Sequence, residues 1–213
     1  MTNTLMKCIF SSVKVNNGNK TKILELVSKN GGTVTSKEVV GNGIHRQFLK
    51  QLAESGILVQ TGRGIYQMPD VFEDELYNLQ TEYNAGVFSY ETSLFLFNLL
   101  ERTPFEWSMT FKGNYHSSKL LEKGVRVRLC KADVFDEGIV YVKSQGNHTV
   151  KAYCPERTLC EILKPASRSD IQDISFAFKE YVKRKDKNIP LLMEYSKKFK
   201  VEDKVRSYLE VLI

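Results

Sequence analysis

The stretch Ile57-Leu58-Val59-Gln60-Thr61-Gly62-Arg63-Gly64-Ile65-Tyr66-Gln67-Met68 sets two apolar runs around an arginine flanked by glycines. That is the pattern of two short strands, 57–59 and 65–68, joined at a hairpin tip. Gly62 and Gly64 permit the sharp turn that projects Arg63 away from the domain body. Upstream, a turn cluster at residues 16–19 places Asn19 to cap a helix over 20–30, in which Ile23, Leu24 and Val27 form one apolar stripe. Gly31-Gly32 ends that helix. Thr35 or Ser36 caps a second, short helix at 37–40, and Gly41-Asn42-Gly43 makes the next turn. A third helix spans 44–54 with Ile44, Phe48, Leu49 and Leu52 inward, which leaves His45, Arg46, Gln47 and Lys50 outward. Three helices followed by a glycine-flanked basic hairpin read as a winged helix-turn-helix.

The charge follows the same division. Residues 1–70 hold nine basic groups against Glu25, Glu38, Glu54 and Asp70, a net of +5, whereas residues 71–213 hold 22 basic and 21 acidic, a net of +1. A basic small domain beside a nearly neutral larger one is the layout of a DNA reader joined to an effector module. A helix entering the major groove, about 12 Å wide, reaches deepest with the residues at its start. Here these are His45, Arg46 and Gln47, with Lys50 a turn later. Arginine pairs bidentately with guanine and glutamine with adenine. Lys50 and Lys37 suit phosphates, and Arg63, beside Thr61 on the wing, suits a phosphate or a narrow minor groove. Lys37, His45, Arg46, Gln47, Lys50, Thr61 and Arg63 are therefore the expected contacts to double-stranded DNA. A protein-docking role for the same module stays open.

A length of 213 residues favours two domains, 1–70 and 71–213. The hydrophobic share of 42% and charged share of 26% exclude a disordered or fibrous chain. No apolar core of a signal peptide is found at the start, and no window approaches the roughly 18 apolar residues of a membrane span, so a cytoplasmic protein with no membrane partner is expected. Cys8, Cys130, Cys154 and Cys160, like His45, His116 and His148, lack ligand spacing, and neither metal nor cofactor is expected. Phosphate loops, dinucleotide fingerprints, nucleophile elbows and zinc-protease motifs are absent from the sequence, which argues against an enzyme.

Pro69-Asp70 and the acidic run Glu73-Asp74-Glu75 mark the junction. Beyond it the periods predict helices over 76–83 and 90–100, strands over 107–111, 125–129, 138–142 and 148–153, a short helix at 117–123, and helices over 155–163, 170–184, 189–199 and 202–212. The expected class is α+β, with the winged helix-turn-helix followed by a larger mixed α/β domain. Ser89 reads as a helix N-cap with Glu91 in the first turn. Glu156-Arg157, after Pro155, reads as holding its helix to the preceding strand. Asp133, Asp136 and Glu137 read as a solvated loop, and the alternative is an enzyme acting on nucleic acid through these carboxylates. Residues 164–206 hold 12 basic and 7 acidic groups. Lys183, Arg184, Lys185, Lys197 and Lys198 there form either a solvated helix face or a second patch for DNA backbone.

Three stretches carry a family resemblance. Gly86-Val87-Phe88-Ser89-Tyr90-Glu91-Thr92-Ser93-Leu94, Pro155-Glu156-Arg157-Thr158-Leu159-Cys160-Glu161-Ile162-Leu163 and the wing Leu58–Tyr66 resemble signatures of the AbiEi antitoxins of toxin–antitoxin and abortive-infection systems. That family usually shows Ala at the position of Ser93 and Asp at that of Glu161. The resemblance implies a non-catalytic antitoxin and repressor of its own operon, binding promoter inverted repeats with cooperative contacts between protomers. It also implies a nucleotidyltransferase-like toxin as functional partner, opposed without a stable complex by the second domain and its basic helices.

Overall fold

The computed structural model of the chain describes residues 18–212, which divide into two compact units at Glu82 and Tyr83. The first runs α1 (Gly18–Lys29), β1 (Thr33–Thr35), α2 (Ser36–Gly41), α3 (Gln47–Glu54), β2 (Val59–Gly62), β3 (Ile65–Gln67) and α4 (Glu75–Glu82). The three strands make an antiparallel sheet in the order β1-β3-β2. Ile23, Leu24 and Val27 of α1, Val39, Ile44, Leu49 and Leu52 of the next two helices, and Val34, Leu58 and Met68 of the sheet side bury one another in a single core.

Local chemistry sets the boundaries. Residues 16 and 17 of the expected turn cluster lie outside the described residues; Gly18 and Asn19 stand inside α1, not before it. Of the two caps offered for α2, Thr35 is the one used. Its hydroxyl accepts from the Glu38 amide at 3.2 Å while the Glu38 carboxylate accepts from the Thr35 amide at 2.7 Å, a reciprocal capping box. The expected start of the third helix at Ile44 is corrected to Gln47. Gly43 takes a φ of 73°, its N–H bonds Val40 O at 2.9 Å and the Ile44 N–H bonds Val39 O at 3.1 Å. These two bonds make the Schellman ending of α2, so Ile44 finishes that helix and only afterwards can a new one begin. β1 was not expected as a strand.

The second unit contains β4 (Val87–Phe88), α5 (Tyr90–Leu96), β5 (Trp107–Lys112), α6 (Ser118–Glu122), β6 (Val125–Cys130), α7 (Ala132–Phe135), β7 (Ile139–Lys143), β8 (Thr149–Tyr153), α8 (Pro155–Ile162), α9 (Ile171–Lys183), α10 (Ile189–Lys198) and α11 (Glu202–Leu212), with a 3₁₀ turn at Pro165–Ser167. Its sheet runs β6-β5-β4-β8-β7, parallel at β5–β6 and β4–β8 and antiparallel elsewhere. α5 and α8 pack on each other, α5 lies against the sheet, and α8 meets α9 and α10. α5 stops at Leu96, four residues short of the sequence expectation. Asn98 takes a left-handed φ of 57°, with Leu99 N–H bonding Leu94 O at 2.8 Å, so the apolar run continues without its helix.

The stretches 86–94 and 155–163 meet in the middle of this unit. Ser93 Oγ donates to Tyr153 O at 2.6 Å and Thr158 Oγ1 donates to Ser93 Oγ at 3.1 Å. Ser89 precedes α5 but caps nothing with its side chain, correcting the expectation; its buried hydroxyl accepts from Thr110 Oγ1 at 2.8 Å on β5. Gly86 is required by close approach, because a Cβ there would stand 2.6 Å from the Phe111 ring. Arg157 is 1% exposed. Its guanidinium lies 3.3 Å from the Tyr153 ring centre, bonds Glu161 at 3.0 Å, and donates to Val134 O at 2.6 Å and Glu137 O at 2.5 Å. It holds α8 both to β8, as expected, and to the segment around α7. Burial pushes the Cys154 thiol up to about 11 and the Tyr90 and Tyr195 phenols to about 12.

Candidate nucleic-acid interface

The outward face of α3 follows from its inward one. Leu49 and Leu52 are buried, so positions three and four residues apart on the opposite side, Gln47, Lys50, Gln51 and Glu54, are all exposed. Gln51 was not among the expected contacts, though its spacing from Gln47 was the signal that finds it. Arg46 stands at the N-cap, exposed and in helical conformation, with no side-chain cap bond. His45 precedes it and is exposed too. Its Nδ1 accepts the Gln47 N–H at 3.2 Å, so this ring satisfies one of the free amides at the helix start. Lys50 pairs with Glu54 at 3.7 Å, with side chains 78% and 63% exposed, a surface pair of little strength that leaves the lysine available to a phosphate.

The hairpin is tied to α2. Gly64, at a φ of 73°, accepts the Ser36 N–H at 2.7 Å through its carbonyl, and a Cβ on it would meet Ser36 Oγ at 3.2 Å. Arg63 therefore projects from a tip anchored beside Lys37, the exposed residue after Ser36. Sequence spacing did not place these two cations together; the hydrogen bond does. Thr61 is half-buried, and its hydroxyl accepts from Asn78 Nδ2 of α4 at 3.3 Å. That contact sets α4 with the first unit, which alters the charge count. Residues 71–82 add Glu73, Asp74, Glu75 and Glu82 and no cation, so the span to Glu82 carries nine basic and eight acidic groups. What distinguishes this unit is a face rather than a total, and Lys37, Arg46 and Arg63 carry it without an ion-pair partner among the described residues.

In the second unit, the basic residues expected as one patch fall into two groups. Lys183, Arg184 and Lys185 lie where α9 ends, before α10 begins, and Lys197 and Lys198 lie at the far end of that ten-residue helix, about 14 Å along its axis. Lys183 pairs with Glu180 at 2.5 Å, Arg184 with Asp186 at 2.8 Å, and Lys198 with Glu137. Asp133 stands in α7, and Asp136 pairs with Lys112 at 3.1 Å. The three carboxylates raised as an alternative thus sit on a short helix and its end, two of them in separate ion pairs. Among the described residues no group of three potential ligands converges for a metal ion, and no helix is long and apolar enough to cross a membrane.

Comparison with known proteins adds a family to this geometry. Residues 22–69 match the family described as "Transcriptional regulator, AbiEi antitoxin", which is the family indicated by the sequence motifs. The match covers the first helix through the hairpin and does not reach 86–94 or 155–163. No curated protein matches the chain. Among solved structures, the crystal structure of the RV2827C protein from Mycobacterium tuberculosis is similar, with a TM-score of 0.51 and 15% identity over 84% of this chain and 72% of that one. At that identity the likeness speaks to the fold alone.

Proposed function

We propose that this chain is a DNA-binding autorepressor of a toxin–antitoxin operon, in which the first unit acts as a winged helix-turn-helix. α3 serves as the recognition helix and the β2–β3 hairpin as the wing. The observation that carries the reading is the pairing of an exposed α3 face, Arg46-Gln47-Lys50-Gln51, with a wing tip whose Arg63 is anchored beside Lys37 by the Gly64–Ser36 hydrogen bond. Polar side chains that hydrogen-bond base edges, next to cations placed for phosphates, are what duplex recognition requires. The helix–strand–helix–helix–strand–strand order and the regulatory description of the matched family support it.

The second unit supplies the antitoxin function, without catalysis of its own, against a nucleotidyltransferase-like toxin and without a stable complex. Protomers bind cooperatively at promoter inverted repeats. A gel shift with the DNA upstream of the gene, at two salt concentrations and beside a promoter reporter, tests the first half. Binding that weakens steeply with salt and repression lost in Arg46→Ala or Arg63→Ala are expected. Salt-insensitive binding to the toxin in place of DNA would show the docking alternative instead. Co-expression with the toxin tests the second half, with growth restored by the full chain and no co-purified pair expected.

A further inference from the structure

We infer that Gln47 and Gln51 read a pair of adenines, so that the half-site recognised by this chain carries two adenines within about three base pairs in its major groove. This rests on the DNA-binding reading of the α3 face. Both glutamines are exposed on that face, and neither side-chain amide has a hydrogen-bond partner among the described residues. Only the Gln47 backbone N–H is engaged, by His45, which holds the helix start and leaves the amide free. Lys50 stands between them in sequence and leans toward Glu54, one turn further on, so the groove-facing edge belongs to the two amides.

The chemistry of that edge is narrow. A glutamine amide offers one donor group and one acceptor in a plane. In the major groove adenine presents the matching pair, the N7 acceptor beside the N6 amino donor. Guanine presents two acceptors there, so an amide that donates to one sets its own carbonyl oxygen against the other. Cytosine lacks the acceptor and thymine the donor. The spacing then fixes the footprint. Residues four apart lie about 6 Å apart along a helix, and base pairs stack at about 3.4 Å. Two amides a turn apart therefore span about two base-pair steps. Side chains of a helix lean toward its amino terminus, which carries both amides, with Arg46 ahead of them, into the groove at the same end. Glu54 lies at the opposite end of the face, where its carboxylate opposes deeper entry of that end.

Selection from a random duplex library with the intact chain, followed by anisotropy titrations, tests the inference. The enriched half-site is expected to hold two adenines no more than three base pairs apart. Replacing either A·T pair by G·C should weaken binding roughly tenfold or more. Gln47→Ala should erase the preference at one of these positions and Gln51→Ala at the other. Both positions are exposed, and a thermal melt matching the parent verifies that the variants fold. An enriched site without the adenine pair, or preferences that persist in both variants, would overturn the inference while leaving DNA binding intact. Failure to enrich any DNA even at low salt would overturn the DNA-binding reading and this inference with it.

Discussion

Removing Arg63 should flatten the salt dependence of DNA binding by an amount that can be calculated. On duplex DNA the logarithm of affinity falls with the logarithm of salt concentration with a slope of about −0.9 for each phosphate neutralised. Lys37, Arg46 and Arg63 are exposed on the proposed face without an ion-pair partner among the described residues, whereas Lys50 shares its charge with Glu54 at 3.7 Å. Counting each of these cations at the DNA as one phosphate charge neutralised, whether it bonds a phosphate or, as Arg46 is placed to do, a guanine edge, gives a slope of about −2.7 per protomer, or a roughly fortyfold loss between 50 and 200 mM salt. Arg63→Ala should reduce that to about −1.8 and a roughly twelvefold loss, and Arg46→Ala with Arg63→Ala to about −0.9. Cations elsewhere in the chain shift every variant equally, so the difference between slopes is the quantity to read. Fluorescence anisotropy of a labelled duplex at three or four salt concentrations measures it. Single variants with the slope of the parent would refute the placement of both residues at the DNA and, with it, the proposed face.

Glu54→Ala frees Lys50 and removes a carboxylate from the α3 face; at low salt DNA affinity should rise by up to about fivefold, within the roughly 1 kcal/mol such a pair involves, and titrations at high salt should show the gain disappearing. Arg157→Ala leaves the Glu161 carboxylate buried without its cation and removes the side-chain donor to the Val134 and Glu137 carbonyls. It should cost about 3–5 kcal/mol in urea unfolding of the second unit, and Arg157→Met with Glu161→Leu should recover most of that. A single-variant loss below about 1 kcal/mol would mean that the pair is not what holds α8 in place. Alkaline conditions should weaken the fold. Burial raises the Cys154 thiol from 9.0 to about 11, so the folded chain keeps a proton that the unfolded chain releases, and stability present below pH 9 is lost as pH rises toward 11. About 2–3 kcal/mol is at stake in that thiol, and urea midpoints at pH 8 and 11, with Cys154→Ala flattening the difference, provide the measurement.

Where the sequence pattern was periodic and one-sided, it located the element. The stripe Ile23-Leu24-Val27, the hairpin around Arg63 and the helices after Pro155 were all legible, because an amphipathic period and a turn residue are local properties. Thr33–Thr35 was not, since all three residues are buried and no alternation marks the strand; only pairing with β3 makes it one. The start of α3 failed for a related reason. Ile44 fits the apolar period of both helices, and the Schellman bonds that assign it to α2 are visible only once the backbone turns at Gly43.

For the candidate site, the sequence by itself determined the residue types: arginine and lysine, which suit phosphates, glutamine, which suits base edges, and glycines that turn the hairpin. These follow from composition and short-range spacing, which no folding is needed to read. Which of them share a surface was decided by tertiary structure alone. The Gly64–Ser36 bond ties the hairpin tip that carries Arg63 to the start of α2 that carries Lys37, and the Thr61 hydroxyl accepts from Asn78 of α4. The length of α10 splits one apparent basic patch into two, and Arg157, a charge by sequence, becomes the largest fully buried side chain among the described residues. A charged side chain reads as exposed until its partners are known; Glu161 lies within one helical turn of Arg157, but the carbonyls that complete its enclosure, Glu137 O and Val134 O, stand 20 or more residues away. Chain periodicity carries no information at that distance.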